Sequence, residues 1–328
     1  DFRTPSLQDP PPLPPLPSPV QFIFLGTGTS AGVPAIGMDP PTDDPRDRRL
    51  RTSACFRFTD HRGRPRTVLI DCGPDIRQQA LAHGLDRCDA ILFTHNHVDH
   101  TWGLDEVRRF NVLQGGPIDI YAEEPTLRHL RRVYQHVFER HKNVQDSFVA
   151  SIIPHRVHIP DAEGDGGGGA LLPDRLDLFG LLATPFRLLH GRLPIAGWRF
   201  EPADNAAGRH LAGAAPEGLF PLAWCTDVSA VPPRSWGMLG GLGTLCLDAL
   251  RRRHHPTHLT LDQALAVVDR AGPKRAFFIH MGGDLPHEAT NAEIAAAGYP
   301  HVRLAHDGLT LGRLPAEERA PTASEAGW

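Results

Sequence analysis

The strongest chemical signal in this chain is a dense group of histidines with one aspartate. His95, His97, Asp99 and His100 form the pattern H-x-H-x-D-H directly after the apolar run at residues 90–93. Residues two apart at the end of a strand point the same way, so His95 and His97 can bind one ion. The chain then turns into a helix and presents Asp99 and His100 to a second ion. Imidazole mixed with carboxylate favours a catalytic site for zinc, manganese or iron over a chance cluster of solvated histidines.

Four ligands cannot fill two coordination spheres, so other strand ends must supply more. His190 follows the apolar run ATPFRLL, Asp227 follows LAWCT, and His280 follows AFFI. Taken singly, a polar residue after a strand is more often a turn or cap residue. Sites in α/β sheets nevertheless collect at the carboxyl ends of strands. Together with the first motif, these three residues indicate one two-metal centre.

The elements that must position these ligands alternate between strands and helices. Helical spacing predicts helices at residues 74–83, 125–138, 261–270 and 289–297. Apolar runs predict strands at residues 21–25, 53–58, 67–70, 90–93, 118–121, 183–189, 198–200, 222–225, 245–247 and 276–279. Mixed strands and helices throughout the chain predict an α/β architecture.

We expect one domain, at residues 20–315, with a tail at each end. The proline-rich residues 1–19 are typical of an extended, disordered tail, and residues 316–328 of a flexible one. The glycine-rich segment at residues 164–169 is too short to link two separate cores, so it is expected to be a surface excursion.

Composition narrows the classes of partner. The chain has 328 residues with a formal charge of −4, so no global basic field favours tight binding of nucleic acid, which is expected only as a substrate. No apolar run reaches the roughly 20 residues of a membrane span, so no membrane partner is expected.

The five cysteines are scattered without a C-x-x-C pair, which argues against a disulfide framework and suits the cytoplasm. Oligomeric state is open, with a homodimer as the commonest possibility.

Several segments around these ligands resemble the phosphodiesterase branch of the metallo-β-lactamase superfamily. They are FLGTGTSAGVP at residues 24–34, DPRDRRLRTSA at 44–54, LIDCGPDIRQQ at 69–79, LLHGRLP at 188–194 and DALRRRHHPTHLTLDQAL at 248–265. This branch includes tRNA 3′-processing ribonucleases and the cyclic phosphodiesterase of the carbon-phosphorus lyase pathway, which the last segment resembles most. The resemblance covers nearly the whole chain and implies an αββα sandwich with a dinuclear site along one edge.

The resemblance also implies a role for each ligand and for one further histidine. Two divalent ions, zinc or manganese, would be bound, one by His95, His97 and His190, the other by Asp99, His100 and His280, with Asp227 bridging them. Asp99 could also orient the attacking hydroxide. A histidine matching His258 is thought to protonate the leaving alkoxide, a task for which imidazole is suited at neutral pH. The implied substrate is a small or cyclic phosphodiester.

The chain departs from its relatives in two places. A cysteine cluster that binds a structural zinc in many relatives is replaced by GMDPPTDDP at residues 37–45, so no third metal is expected. Relatives usually have T-H-x-S-H around the final ligand, whereas residues 279–283 of this chain are IHMGG. His280 is kept while its neighbours differ from those of the relatives. The affinity of the second site for metal is therefore not implied by the resemblance.

Two other functions are compatible with the same residues. A thioester or lactone hydrolase would use the same metals and has less need of His258. A non-hydrolytic protein resembling the pyrroloquinoline quinone pathway member would keep the fold, and the altered neighbours of His280 are its only support.

Four weaker signals lie outside the predicted ligands. GTGTSAG favours a tight turn over a phosphate cradle, because the P-loop pattern is absent. Asp71 either supports the metal site, which we favour, or caps the following helix. His254 and His255 are expected to be surface residues. A run of arginines either contacts a phosphorylated substrate or forms a salt-bridged loop, and both interpretations stay open for Arg46, Arg48, Arg49 and Arg51.

Overall fold

The computed structural model describes residues 20–144, 148–160 and 172–312. The proline-rich segment at residues 1–19, the glycine-rich segment at 164–169 and the C-terminal segment at 316–328 lie outside the described residues. The predictions made for those three segments therefore stay predictions.

Two seven-stranded sheets make up the centre of the fold. The first has the order β14-β1-β2-β3-β4-β5-β6, formed by β1 Gln21–Gly26, β2 Ser53–Thr59, β3 Pro65–Ile70, β4 Ala90–Leu92, β5 Ile118–Ala122, β6 Ile152–Arg156 and β14 Thr310–Leu311. The second has the order β13-β12-β11-β10-β9-β8-β7, formed by β7 Leu176–Leu178, β8 Leu181–His190, β9 Leu193–Pro202, β10 Leu222–Cys225, β11 Thr244–Asp248, β12 Arg275–Ile279 and β13 Val302–Leu304. Both sheets mix parallel and antiparallel pairs, with β3 to β6 and β10 to β13 parallel.

The helices of the described residues lie between these strands in sequence. They are α1 Ile76–Ala82, α2 Val98–Thr101, α3 Arg108–Gln114, α4 Glu124–Val133, α5 Gln135–Phe138, α6 Ala206–Ala214, α7 Leu261–Ala271 and α8 His287–Ala296. Short 3-10 helices occur at Pro45–Asp47, Arg140–Lys142 and Pro233–Leu239. No helix in the described ranges is both long and apolar enough to cross a membrane.

Strand β1 shows how the layers are built. Phe22 and Phe24 point between the two sheets, where they pack with aromatic residues of the second sheet such as Trp224. Ile23 and Leu25 point to the opposite face and pack with residues of α1, α3 and α4. Because both faces are buried, the strand is apolar at nearly every position rather than at every second one.

Helices α7 and α8 cover the outer face of the second sheet in the same way as α1, α3 and α4 cover the first. The order of layers is therefore helix, sheet, sheet, helix. This confirms the αββα sandwich predicted from the resemblance.

Some elements differ from the sequence prediction. The helix expected at residues 125–138 is broken at Tyr134 into α4 and α5, and the Tyr134 hydroxyl donates to the Thr101 carbonyl at 3.0 Å. The strand expected at residues 198–200 is only part of β9, which pairs with β8 along its whole length. Strands β6, β7, β13 and β14 and helices α3 and α6 were not predicted, because their sequences are short or weakly apolar.

Candidate metal centre

The ligand candidates lie at the carboxyl ends of strands from both sheets. His95 and His97 follow β4, and the short helix α2 then carries Asp99 and His100. His190 ends β8, while Asp227 and His280 lie just beyond β10 and β12. Since these strand ends meet along one edge of the sandwich, all seven predicted ligands come together there, as the spacing of the motifs indicated.

The first group consists of His95, His97 and His190. One ring nitrogen of each lies within 4.8 Å of the others. Their ring centroids are 4.6 Å apart for His95 and His97, and 5.0 Å for His97 and His190. This spacing suits three imidazoles directed at a single ion.

The second group consists of Asp99, His100, Asp227 and His280, all of them buried. His100 Nε2 lies 3.2 Å from Asp99 Oδ2 and 3.1 Å from Asp227 Oδ2. Asp227 Oδ1 lies 3.3 Å from His280 Nε2. One carboxylate oxygen of Asp227 also lies within 4.8 Å of a ring nitrogen of His190. Asp227 therefore lies close to both groups.

The opposite ring nitrogens of several histidines have hydrogen-bond partners that fix their orientation. Nδ1 of His100 contacts Asp71 Oδ2 at 2.8 Å, which confirms that Asp71 supports the site. Nδ1 of His190 contacts the Thr257 carbonyl at 2.7 Å, and Nδ1 of His95 contacts Thr94 Oγ1 at 3.0 Å. The Nε2 atoms of these rings are thereby left for a metal ion.

Two observations indicate that the residues fit metal ions. Buried polar atoms normally have partners, yet His95 Nε2 is buried without a hydrogen bond within the described residues. The donor set of imidazoles and carboxylates is also the set that zinc and manganese accept. The seven residues are therefore suited to hold divalent ions.

The backbone at three of these loops is held in an unusual conformation. Asp71, Asp227 and His280 have φ values of 61°, 57° and 58°. The left-handed region costs a non-glycine residue about 1–3 kcal/mol and persists where the surroundings determine it. Within the described chain only Phe179 shares this feature among non-glycine residues, so the strain is concentrated at the metal centre.

Burial and neighbouring charges set the protonation of the ligands. Burial lowers the pKa of His95 well below its usual range, with the charge of His100 adding to the effect. Burial also lowers the pKa of His280 to about 4, although Asp227 opposes this. Neutral imidazoles bind metals, so these two rings are ready to act as ligands at neutral pH. His100 is different: despite burial, the carboxylates of Asp227 and Asp99 raise its pKa well above the usual value when no ion is present.

His258 reaches the same centre from the loop between β11 and α7. Its ring lies 4.6 Å from that of His190 and 4.9 Å from that of His280. Its Nδ1 contacts Asp248 Oδ2 at 2.8 Å, so Nε2 is the ring nitrogen left for another partner. Burial lowers the pKa of His258, and the Asp227 carboxylate opposes this.

Asp248 was not predicted from the sequence. It is fully buried at the end of β11, and its Oδ2 also accepts a hydrogen bond from the Val228 amide at 2.8 Å. Burial, together with the nearby charge of Asp227, raises the pKa of Asp248 well above its usual range. Asp248 begins the segment DALRRRHHPTHLTLDQAL that carries the resemblance, but no role was assigned to it there.

The structure resolves the two interpretations of the arginine run for three of its members. Arg46 pairs with Asp44 at 2.8 Å, Arg49 with Asp47 at 2.9 Å, and Arg51 with Asp75 at 2.8 Å. These three arginines therefore belong to a salt-bridged loop.

The turn at GTGTSAG is likewise structural. The amide of Gly28 donates to the Leu50 carbonyl and that of Thr29 to the Met281 carbonyl. These two amides are therefore not free to bind a phosphate, and the Gly32 amide donates to the Thr29 carbonyl at 2.8 Å, as the tight-turn interpretation predicts.

His255 differs from its prediction as a surface residue. It is half-buried, and its ring centroid lies 5.1 Å from that of His258. Its Nδ1 accepts from Thr257 Oγ1 at 3.1 Å, which holds the ring against the turn. The Thr257 carbonyl also contacts His190 Nδ1 at 2.7 Å, a tertiary contact that the sequence alone does not show. His254 is exposed, as predicted.

Comparison with known proteins gives one family. The family model described as a beta-lactamase superfamily domain matches residues 66–281. The crystal structure of a diphosphatase from the PhnP family aligns with a TM-score of 0.70 and 36% sequence identity, over 90% of this chain and 98% of that chain. Zn²⁺-bound PqqB from Methylobacterium extorquens aligns with a TM-score of 0.61 over 89% of this chain and 100% of that chain, but its 20% identity supports the fold alone.

A curated relative with a longer chain also matches. The octanoyltransferase of Porphyromonas gingivalis is 30% identical over 294 residues, which are 88% of this chain and 51% of that protein. This chain therefore spans about half the length of that relative.

Proposed function

Since the chain belongs to the metallo-β-lactamase superfamily of hydrolases, we propose that it cleaves a small or cyclic phosphodiester with the help of two divalent ions. Asp99, Asp227 and five histidines would hold the ions, and His258 would protonate the leaving group. Zinc or manganese is favoured over magnesium, because a sphere rich in imidazole is too soft for magnesium.

The side chains have separate tasks in this proposal. Ions at such a site make water acidic enough to supply a nucleophile near neutral pH and neutralise phosphate charge. Asp99 would orient the attacking group, since it is a ligand candidate of the second group. Asp71, Thr94 and the Thr257 carbonyl hold the imidazole rings in place.

The observation that carries the proposal is the placement of His258. An alkoxide is a poor leaving group and departs with a proton from a nearby acid. The Asp248 carboxylate fixes Nδ1 of His258, and the ring lies beside His190 and His280. In its protonated form His258 would carry a proton on Nε2, and this proton would pass to the leaving oxygen of the phosphodiester.

The PhnP-family diphosphatase suggests a second substrate class, because it matches this chain at 36% identity over nearly its whole length. Cleavage of a diphosphate expels a phosphate, which is a weaker base than an alkoxide and needs less help from an acid. The buried Asp248–His258 pair therefore favours the phosphodiester. A thioester or lactone would likewise depend little on His258.

Metal analysis and a simple assay test the proposal together. Plasma emission analysis of protein purified without chelator should find two ions per chain, zinc or manganese. The same protein should hydrolyse bis(p-nitrophenyl) phosphate and lose that activity after chelation. Folded protein that binds no metal would overturn the proposal, and so would activity on thioesters or lactones with none on phosphodiesters.

A further inference from the structure

Within the described residues, His280 lacks the Nδ1 contact that orients three of the other four ligand rings. His95, His100 and His190 each have a partner at Nδ1, as metal-binding histidines usually do. The Nδ1 atom of His280 is buried without a hydrogen bond to any described residue. Its ring must therefore be positioned by other means.

The two residues that follow His280 are hydrogen-bonded to two different segments of the chain. The Met281 amide donates to the Thr27 carbonyl at 2.9 Å, and the Gly282 amide donates to the Leu250 carbonyl at 2.7 Å. His280 itself has a φ of 58°, a conformation that a histidine keeps only where its neighbours enforce it. The orientation of the ring is thus coupled to the position of the segment that follows.

Arg49 fixes that segment from inside the protein. Its side chain is fully buried, with Nη1 donating to the Gly282 carbonyl at 2.8 Å and Nη2 donating to the Leu285 carbonyl at 2.7 Å. Nη2 also contacts Asp47 Oδ1 at 2.9 Å. A planar guanidinium with several donors can make these contacts at once, whereas a lysine ammonium has no such fork.

Asp47 extends the same arrangement to helix α8. Its Oδ1 accepts from the His287 amide at 2.8 Å, and its Oδ2 accepts from Thr42 Oγ1 at 2.6 Å. The buried pair therefore holds both ends of residues 282–287, the segment between the ligand and the helix.

We infer that the Arg49–Asp47 pair positions His280 for the second metal ion, in place of a hydrogen bond to Nδ1. The inference rests on the proposed two-metal centre. Neither residue belongs to the groups of ligand candidates, so Arg49 would be a positioning residue that acts through the backbone of Gly282 and Leu285.

A pair of arginine-to-lysine variants separates this role from general stability. Arg49→Lys keeps the positive charge but loses the fork. Arg66→Lys is the matched control, because Arg66 is also buried and binds two carboxylates, Asp60 at 2.9 Å and Asp89 at 2.7 Å, with no hydrogen bond to the metal centre. Should Arg49→Lys fail to fold, Asp47→Asn keeps the shape and weakens the hold on the guanidinium.

Titration of metal-free protein with Co²⁺, followed by its visible absorption, measures the two dissociation constants. Arg49→Lys should weaken the second site by about 10- to 100-fold and leave the first within about twofold, the scale seen when a residue that orients a metal ligand is changed. Arg66→Lys should lower the thermal midpoint without a selective change in either constant. In a His280→Ala background, Arg49→Lys should not change Co²⁺ affinity further.

Unchanged affinity at both sites in folded Arg49→Lys would overturn the inference. Equal weakening at both sites, matched by Arg66→Lys, would also overturn it, because that result is expected of a residue that only stabilises the fold. Wild-type protein that binds fewer than two Co²⁺ ions would instead contradict the proposed two-metal centre, and the inference would fall with it.

Discussion

Asp227 is the residue on which both groups of ligand candidates depend. Its two oxygens lie 3.1 Å from His100 Nε2 and 3.3 Å from His280 Nε2, and it also lies near His190. The charges of His280 and His100 hold the pKa of this buried carboxyl well below its usual range, although burial alone would raise it. A permanent negative charge between the two groups is what a bridging ligand requires.

Replacing Asp227 should therefore affect both ions. Asp227→Ala should lose metal from both sites, whereas His280→Ala should mainly empty the second. Metal content per folded chain, measured by plasma emission, distinguishes the two variants. Retention of both ions in Asp227→Ala would show that this residue does not bridge.

The residues of the metal centre were predicted well where several polar groups follow a strand in one short motif. His95, His97, Asp99 and His100 are close in sequence, so their spacing alone indicated a common site. Asp248 and His258 lie in one segment of the resemblance, but their contact was not predicted because it forms only in the folded turn. The alternatives for Arg49 could not be separated either, because its carbonyl partners come from residues more than 200 positions away.

Helix α7 begins three residues after His258 and anchors the end of its loop. Thr260 Oγ1 accepts from the Gln263 amide at 3.2 Å, and the Gln263 side chain accepts from the Thr260 amide at 2.9 Å. This reciprocal pair satisfies two amides at the start of the helix. The sequence T-L-D-Q followed by an apolar pattern is typical of such a start, which is why the first residue of α7 was predicted correctly.

Removal of this cap should destabilise the protein by a measurable amount. Thr260→Ala should lower the free energy of unfolding by about 1 kcal/mol, within a usual range of about 0.5–2 kcal/mol. Thr260→Ser keeps the hydroxyl and should behave like wild type. Urea unfolding of both variants gives the comparison, and an unchanged midpoint in Thr260→Ala would contradict the role of the cap.

Strands were predicted best where both faces are buried, as in β1, β2 and β10. Such strands are apolar at consecutive positions, so the sequence distinguishes them from loops. Strand β6 contains Pro154 and mostly exposed or half-buried residues at the edge of its sheet. Its pairing with β5 is a tertiary contact that local sequence does not encode.

Across the whole molecule, Asp307 joins segments that are distant in sequence. Its Oδ1 accepts from Thr27 Oγ1 at 2.8 Å, and its Oδ2 accepts from the Leu50 amide at 2.7 Å. Burial raises the pKa of Asp307 to about 7, although the hydrogen bonds from Leu50 and Thr27 and the charge of Arg49 oppose this. The folded protein thus binds a proton that the unfolded chain, with a usual aspartate pKa of about 3.9, has already lost at pH 6.

The sign of the resulting pH dependence follows from this difference. Because the folded state binds more protons between about pH 4 and 7, the contribution of Asp307 to stability is present below pH 4 and is lost as the pH rises through 7. Asp307→Asn imitates the protonated form and should lack this loss.

Thermal unfolding of metal-free wild type and Asp307→Asn, with chelator at every pH, measures the effect. The two proteins should unfold at similar temperatures near pH 4, and the variant should unfold at the higher temperature at pH 8. A constant difference between them at all pH values would show that Asp307 does not titrate in this range.

The αββα order of layers was predictable because the ligand motifs carry a resemblance that covers nearly the whole chain. The local backbone at the metal centre was not, because the positive φ values of Asp71, Asp227 and His280 arise only when loops from both sheets meet. The substrate depends on pocket walls from the same loops, and no motif in the sequence encodes them.

If His258 donates a proton to the leaving group of a phosphodiester, its loss should affect substrates according to the basicity of that group. His258→Ala should keep its metal and lose about 10²- to 10⁴-fold in kcat/KM on a cyclic ribose phosphate, whose alkoxide departs badly without a proton. Bis(p-nitrophenyl) phosphate should suffer much less, because p-nitrophenolate is already a stable anion.

The decisive measurement is kcat/KM for wild type and His258→Ala on these two substrates, with metal content determined in parallel. A large loss on the cyclic ribose phosphate and a small loss on the p-nitrophenyl ester is the predicted result. Equal losses on both substrates, or no loss on either, would contradict the assignment of His258 as the general acid.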